Sequence, residues 1–331
     1  MPLFRIFRAE AARPGRYIRM GGAVAMAVAF TAGCSGTTPG PQALAPEKTT
    51  IVVGAVPATD TAGLYIAQQR GYFAAVGLHV KIVNIISAKD AISAQLQCKF
   101  DVTLGNYVSY IQANAGQHAG IRIIEEGSVI QPNDQGIVTL PGSPLSTLAD
   151  LRGKRLAVNV PNNIGNILIG SALAGQGIPL SAVKLVAVPF PEMTAALQQH
   201  KVDAAWVPEP FLTGAEEQIG ALPIYDLDQG ATQGLPIVGY AVTGAWEQKY
   251  PATAAAFKAA LERGQLLADS DRAAVEQAVE QFLGVPPVTA ADMALPDFPV
   301  GVDKVRLQRI ADDMRQYGLL TQPFDASQIA G

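Results

Sequence analysis

Fourteen residues carry most of the chemistry this sequence offers, and they occupy equivalent positions along it. Thr59, Asp60 and Thr61, then Ser87 and Lys89, then Asn106 and Tyr107 each follow a short apolar run and precede a helical pattern. So do Asn159, Asn162 and Asn163, then Phe190 and Glu192, then Trp206 and Glu209. Amides, hydroxyls, carboxylates and aromatic faces at such positions suit non-covalent recognition, helped by the free N–H groups of helix N-termini. His79, His118 and His200 have no partners at ligand-like spacing, so no metal site is expected. Cys98 ends an amphipathic helix with no His or Arg spaced to activate it, and is expected to be a small buried hydrophobe.

Each of these positions also has a structural use. Ser87 followed by Asp90 makes a capping-box-like start, and Asp60, Asn106 and Asn163 are good N-cap types. Glu192 sits in a first turn, where an acid complements the helix dipole, and Glu209 immediately precedes a proline of the N1 type. Trp206 and Tyr107 fit either a core or a planar wall facing a ligand. Capping and ligand contact can coexist.

The elements that position these residues recur. From Ile51 the chain reads as strand IVVGAV, polar turn 57–61, amphipathic helix 62–76, strand from Val80 to Ile86, helix with Ile92 and Leu96 on one face, and strand Phe100–Leu104. About one hundred residues on, the order returns as strand 155–160, helix 164–174, strand 183–188, helix 192–199 and strand 202–207. Even the third strands are entered alike, by Lys99-Phe100-Asp101-Val102 and Lys201-Val202-Asp203-Ala204. Strand–helix alternation predicts, in each copy, a mainly parallel sheet covered on both faces. Ligands of such sheets sit beyond the carboxyl ends of the strands, so two lobes facing each other there would enclose a cleft.

The 331 residues, 49% hydrophobic and 16% charged, suffice for two substantial cores. Formal net charge is −4, and removing the five arginines and Glu10 of residues 1–33 leaves about −8. So acidic a chain, without a basic stripe interleaved with aromatics, is a poor nucleic-acid binder. Residues 1–33 combine a basic start with the apolar stretch Gly21–Phe30, as an export signal does, and that stretch is too short to span a membrane. Ala32-Gly33-Cys34 resembles a bacterial lipobox, which implies lipidation at Cys34, with Thr31 departing from the usual large aliphatic residue. Residues 34–49 then read as a lipid-anchored flexible tether. With Cys34 so used, Cys98 leaves no intramolecular disulfide to form.

The remaining patterns divide the chain into a first lobe, 50–135 plus 244–331, and a second, 136–243. The crossings fall near Gln131–Pro144 and Ile237–Thr243. Helices at 252–268, 272–283 and 302–317 should pack back onto the first lobe.

Several strings resemble one family. Leu64-Tyr65-Ile66-Ala67, Arg70-Gly71-Tyr72-Phe73 and Gly77-Leu78 look like the entry motif of the nitrate, sulfonate, taurine and thiamine-precursor binding proteins. Leu148 to Lys154 resembles that family's step into the second lobe, and Trp206 with Glu209-Pro210-Phe211 resembles its "W.EPf" signature. The similarity covers roughly residues 50–320. It implies an α/β, two-lobed type 2 periplasmic-binding-protein fold with two crossover strands and a ligand cleft between the lobes. It implies, further, a monomeric extracytoplasmic receptor, not an enzyme, that closes on a small ligand and delivers it to an ABC permease powered by an ATPase. No cofactor is implied. The protein would be exported and either lipid-anchored on the outer face of the cytoplasmic membrane or periplasmic. The fourteen residues above would then line the cleft. The rival within the family is a cleft enzyme of desulfinase or pyrimidine-precursor-synthase type. A regulator's effector domain would need a helix-turn-helix that is missing here. Asp60, Glu192 and Glu209 against one Lys89 favour a neutral, zwitterionic or cationic heterocycle over an inorganic anion.

Overall fold

The computed structural model describes residues 45–331. The expected export signal, Cys34 and the expected tether up to residue 44 lie outside the described residues. The tether's last residues are not free. Glu47 accepts from the backbone N–H of Ala252 and Thr253, and Lys48 pairs with Asp101, so the chain is fastened to the body before residue 49. Those two amides head a helix and would otherwise lack acceptors.

The first sheet holds β1 (Thr50–Ala55), β2 (His79–Asn84), β3 (Val102–Asn106), β4 (Ile121–Val129) and β10 (Pro236–Thr243), in the order β2-β1-β3-β10-β4. Around it run α1 (Ala62–Gln69), α2 (Tyr72–Ala75), α3 (Ala88–Leu96) and α4 (Tyr107–Gln117). The second sheet holds β5 (Gln135–Thr139), β6 (Arg155–Val158), β7 (Lys184–Ala187), β8 (Ala204–Pro208) and β9 (Leu222–Asp226), in the order β7-β6-β8-β5-β9. Its helices are α5 (Ile164–Ala174), α6 (Phe190–Gln198) and α7 (Phe211–Ile219). In each sheet β1 or β6 pairs parallel on both sides, and one strand arriving from the other half, β10 or β5, pairs antiparallel with both neighbours. The expected repeat is therefore also a repeat of topology.

This pairing corrects the lobe boundary. Residues 236–243 belong with the first lobe, not with a second lobe ending at 243, because β10 bonds to β3 and β4. Gln135 in turn already pairs with Pro208 of the second sheet. Both faces of β10 are buried, so its composition suits a central strand of either sheet.

After β10 come α8 (Gly244–Lys249), α9 (Pro251–Ser270), α10 (Arg272–Leu283), α11 (Pro287–Asp292) and α12 (Lys304–Gln316). They pack back onto the first lobe, with Phe257 stacked on Phe73 at 5.1 Å and Phe282 on Tyr65 at 4.7 Å. Gly63 and Gly264 let α1 and α9 touch, since a Cβ on Gly264 would stand 2.1 Å from the Gly63 carbonyl oxygen. Among the described residues no helix is long and apolar enough to cross a membrane. Cys98 is exposed, contrary to expectation: the turn after α3 gives it a positive φ and leaves it at the surface, at the end of β3 away from the strand's carboxyl terminus.

Candidate functional site

The carboxyl ends of the two sheets face each other and enclose a cavity of about 50 Å³. That is well below the ~150 Å³ that holds a benzene ring, so this state accommodates a compact group of a few heavy atoms. One wall comes from the first lobe: Asp60 after β1, Ala88 at the start of α3, and Asn106 at the end of β3. The other comes from Asn159 after β6, Phe190 at the start of α6, and Trp206 in β8. Gln135 and Val238, from the two crossover strands, complete the enclosure.

The aromatic wall is held in place. Trp206 Nε1 donates to Gln135 Oε1 at 3.1 Å, and Phe190 meets the indole edge-on at 5.4 Å and 79°. Gly165 of α5 lies behind the ring, where a Cβ would stand 2.6 Å from Trp206 Cζ3. Phe190 also stacks on Phe211 at 5.8 Å, and Phe211 lines a wider groove of about 420 Å³ that opens between the lobes. Phe190 thus stands between cavity and groove.

The charge on the wall is acidic. Asp60 accepts a hydrogen bond from Ser128 Oγ, and burial pushes its carboxyl above the ordinary range against that bond. Behind it a small void is shared with Asp134 and Glu209. Burial first, and the nearby Asp60 carboxylate second, push Asp134 well above the usual carboxylate value. Its Oδ1 has no partner. Burial raises Glu209 to about 7, opposed by hydrogen bonds from Thr213 Oγ1 (2.7 Å), Thr213 N (3.1 Å) and Ala294 N (3.3 Å). Among the described residues no three His, Cys, Asp or Glu side chains stand close enough to share a metal ion.

Of the fourteen sequence-selected residues, Asp60, Asn106, Asn159, Phe190 and Trp206 meet at this cavity. The others are placed elsewhere by local structure. Thr61 Oγ1 donates to the Val56 carbonyl at 2.6 Å, Thr59 is buried with its hydroxyl on Met293 Sδ, and Ser87 caps α3 by accepting from Asp90 N at 3.2 Å. Tyr107 is buried against Gly239 of β10, as the core alternative had it. Lys89 and Glu192 are exposed on their helices and do not line the cavity. Glu209 lines only the void behind Asp60. Asn162 and Asn163 sit on the rim. Asn163 Nδ2 donates across the cleft to Ser109 Oγ at 3.2 Å, and Gln112 Nε2 reaches the Asn162 carbonyl at 3.2 Å. On the other rim Thr59 N donates to the Glu209 carbonyl at 3.2 Å, and Thr289 Oγ1 bonds the Glu217 carboxylate. Hydrogen bonds across both rims describe lobes drawn together.

Sequence reasoning missed Asp134 and Gln135. Asp134 precedes and Gln135 opens β5, at the amino end of a strand, whereas the other candidates are marked by a strand's carboxyl end or a helix start.

Residues 58–271 match the family model described as "NMT1/THI5 like". A protein of Haemophilus influenzae named for thiamine biosynthesis is 30% identical over 190 residues, 57% of this chain and 54% of its own length. The chain thus spans about half of that relative. The periplasmic nitrate-binding protein NrtA of Synechocystis superposes with a TM-score of 0.76 at 18% identity, over 87% of each chain. The alkanesulfonate-binding protein SsuA of Xanthomonas axonopodis, bound to MOPS, does so with 0.72 at 18% identity, over 86% of this chain and 99% of its own. These likenesses establish the two-lobed α/β fold of periplasmic binding proteins.

Proposed function

The chain belongs to the NMT1/THI5-like family, and from that premise we propose that it is the extracytoplasmic solute-binding protein of an ABC importer. It captures a small organic ligand by lobe closure and presents it to a membrane permease powered by an ATPase. The observation that carries this reading is the enclosed cavity between two strand-end walls, bridged on both rims by side-chain and backbone hydrogen bonds. A receptor needs only a difference in affinity between open and closed states. A micromolar ligand supplies about −8 kcal/mol, more than the ~5.5 kcal/mol that swings a hinge from mostly open to mostly closed. The N-terminal pattern supports export and lipidation at Cys34, with a monomer tethered outside the cytoplasmic membrane.

The ligand is read as neutral, zwitterionic or cationic, because the charge that meets the cavity is Asp60. Against a cleft enzyme stand the exposure of Cys98 and its place at the far end of β3 from the cavity.

The test is a thermal-shift screen against nitrate, sulfonates, taurine, pyrimidines, amidines and polyamines, with hits followed by calorimetry and small-angle scattering. A stoichiometric hit that compacts the protein without turnover is expected. At one hundred times its dissociation constant such a ligand adds about 2.7 kcal/mol of stability. Conversion of the hit into a product would replace the receptor with the enzyme.

A further inference from the structure

The two halves of the chain repeat one carboxylate clamp at the end of each sheet away from the cavity. In the first lobe Asp101 N donates to the Val52 carbonyl and Val52 N to Asp101 Oδ2, both at 2.9 Å. In the second, Asp203 N donates to the Arg155 carbonyl and Arg155 N to Asp203 Oδ2, both at 2.8 Å. Three residues before each aspartate the chain turns through a left-handed residue, Cys98 (φ 58°) or His200 (φ 52°). The crossover strands keep the same register, with Ala241 of β10 opposite Thr103 and Val138 of β5 opposite Ala205. Five residues beyond these two, the first lobe carries Trp246 and the second carries Ser143.

That difference leaves a pocket open. Trp246 Nε1 donates to Asp101 Oδ1 at 2.8 Å, and its ring packs against the hydrophobic core. At the corresponding place the second lobe has a cavity of about 300 Å³, whose lining includes Leu140, Ser143, Leu145, Lys154, His200 and Asp203. A cavity of ~150 Å³ holds a benzene ring, so this one has room for a bicyclic ring. Arg155 gives Asp203 three hydrogen bonds, from N (2.8 Å) and Nε (3.2 Å) to Oδ2 and from Nη2 (2.7 Å) to Oδ1. A carboxylate oxygen can accept twice, so Oδ1 keeps one place, on the oxygen that in Asp101 receives the indole N–H.

The rim of this pocket is basic in a chain whose net charge is −4. Arg152, Lys154, Lys184, His200 and Lys201 are all exposed at the amino ends of β6, β7 and β8. Asp203 is taken up by Arg155, and Asp150 by the Ser146 and Thr147 amides of its own turn. The field over the opening therefore favours an anion.

We propose that this pocket is a second binding site, on the second lobe and remote from the cleft, for a small aromatic acid. Its ring lies where Trp246 lies in the first lobe, with a ring N–H on Asp203 and the acid group on Lys154. The site goes beyond the receptor reading and does not depend on it.

N-acetyltryptophan, its uncharged amide and N-acetylalanine separate the two contributions, since the first two share the indole and the first and third share the carboxylate. Each is titrated by calorimetry into the full-length protein, Ser143→Trp and Lys154→Glu, with circular dichroism and the melting temperature reporting that the variants are folded. N-acetyltryptophan is expected to bind at least ten times more tightly than N-acetylalanine, because only it buries a ring. It should bind about three times more tightly than its amide, the margin an exposed ion pair supplies. Ser143→Trp puts the chain's own indole in the pocket and should weaken binding of N-acetyltryptophan at least tenfold. Lys154→Glu, a substitution at an exposed side chain, should keep the amide's affinity within about twofold and abolish the preference for the acid. Absence of binding, equal binding of N-acetylalanine, or affinity that survives in folded Ser143→Trp would overturn the proposal. If Ser143→Trp does not fold, an acid preference unchanged in Lys154→Glu would overturn it instead.

Discussion

Gly165 of α5 is the position where one methyl group most directly tests the geometry of the site. A Cβ there would stand 2.6 Å from Cζ3 and 2.8 Å from Cε3 of Trp206, against roughly 3.5–4.0 Å for a comfortable carbon contact. The indole must therefore retreat by about 1 Å, and it is flanked by Phe190 and by the cavity itself. Alanine gains about 1 kcal/mol over glycine in a helix interior, while overpacking a tight site costs ~1–3 kcal/mol. The net expectation for Gly165→Ala is a loss of up to about 2 kcal/mol, a fall of a few degrees in melting temperature, and at least tenfold weaker binding of any ligand that rests on Trp206. Gly214 in α7 supplies the control. Its Cβ would meet only Gln218 Nε2 at 3.6 Å, so Gly214→Ala should gain the helix propensity and melt higher. Thermal unfolding of the two variants without ligand is the first assay. If Gly165→Ala melts as high as Gly214→Ala, the contact behind Trp206 is looser than described and the reasoning fails.

Glu125 is fully buried and burial raises its carboxyl to about 7, against a backbone hydrogen bond from Gly301 and the pull of Lys258. The folded protein thus keeps this proton to higher pH than the unfolded chain. Stability should fall between about pH 4.5 and pH 7 and level off above, by about 3 kcal/mol for this group. Glu125→Gln should remove that share, so its melting advantage over the parent should widen from about pH 5 to pH 8; a constant gap counts against the assignment. Ser109→Ala deletes the acceptor of the cross-cleft bond from Asn163 and should weaken ligand binding about fivefold while shifting ligand-free stability by under ~0.5 kcal/mol. Unchanged affinity would show that this rim bond does not contribute to closure. Cys98→Ser should bind as the parent does, within about twofold, because the residue is exposed away from the cavity. A large loss of binding or of any turnover would restore Cys98 to the site.

Much of the molecule is legible in local pattern. The strand and helix periods give the order of elements in both halves, and α5 and α10 run over the predicted 164–174 and 272–283. Ser87, Asn106 and Asn163 cap the helices they precede, because a cap is a relation among residues three or four apart. What local pattern could not assign depends on partners a hundred residues away. β10 is buried on both faces and reads as a central strand wherever it sits, and only its pairing with β3 and β4 places it in the first lobe. Tyr107 heads a helix as a cleft aromatic would, yet Gly239 of β10 leaves room for its ring in the core. Asp134 and Gln135 stand at the amino end of β5, not at a strand's carboxyl end or a helix start, and they become part of the site because the crossing passes beneath Asp60 and Trp206. The sequence by itself determined which residues are available at the strand ends. The tertiary structure decided which of them meet, since burial and electrostatic pairing depend on the approach of the two lobes and not on any one segment's composition.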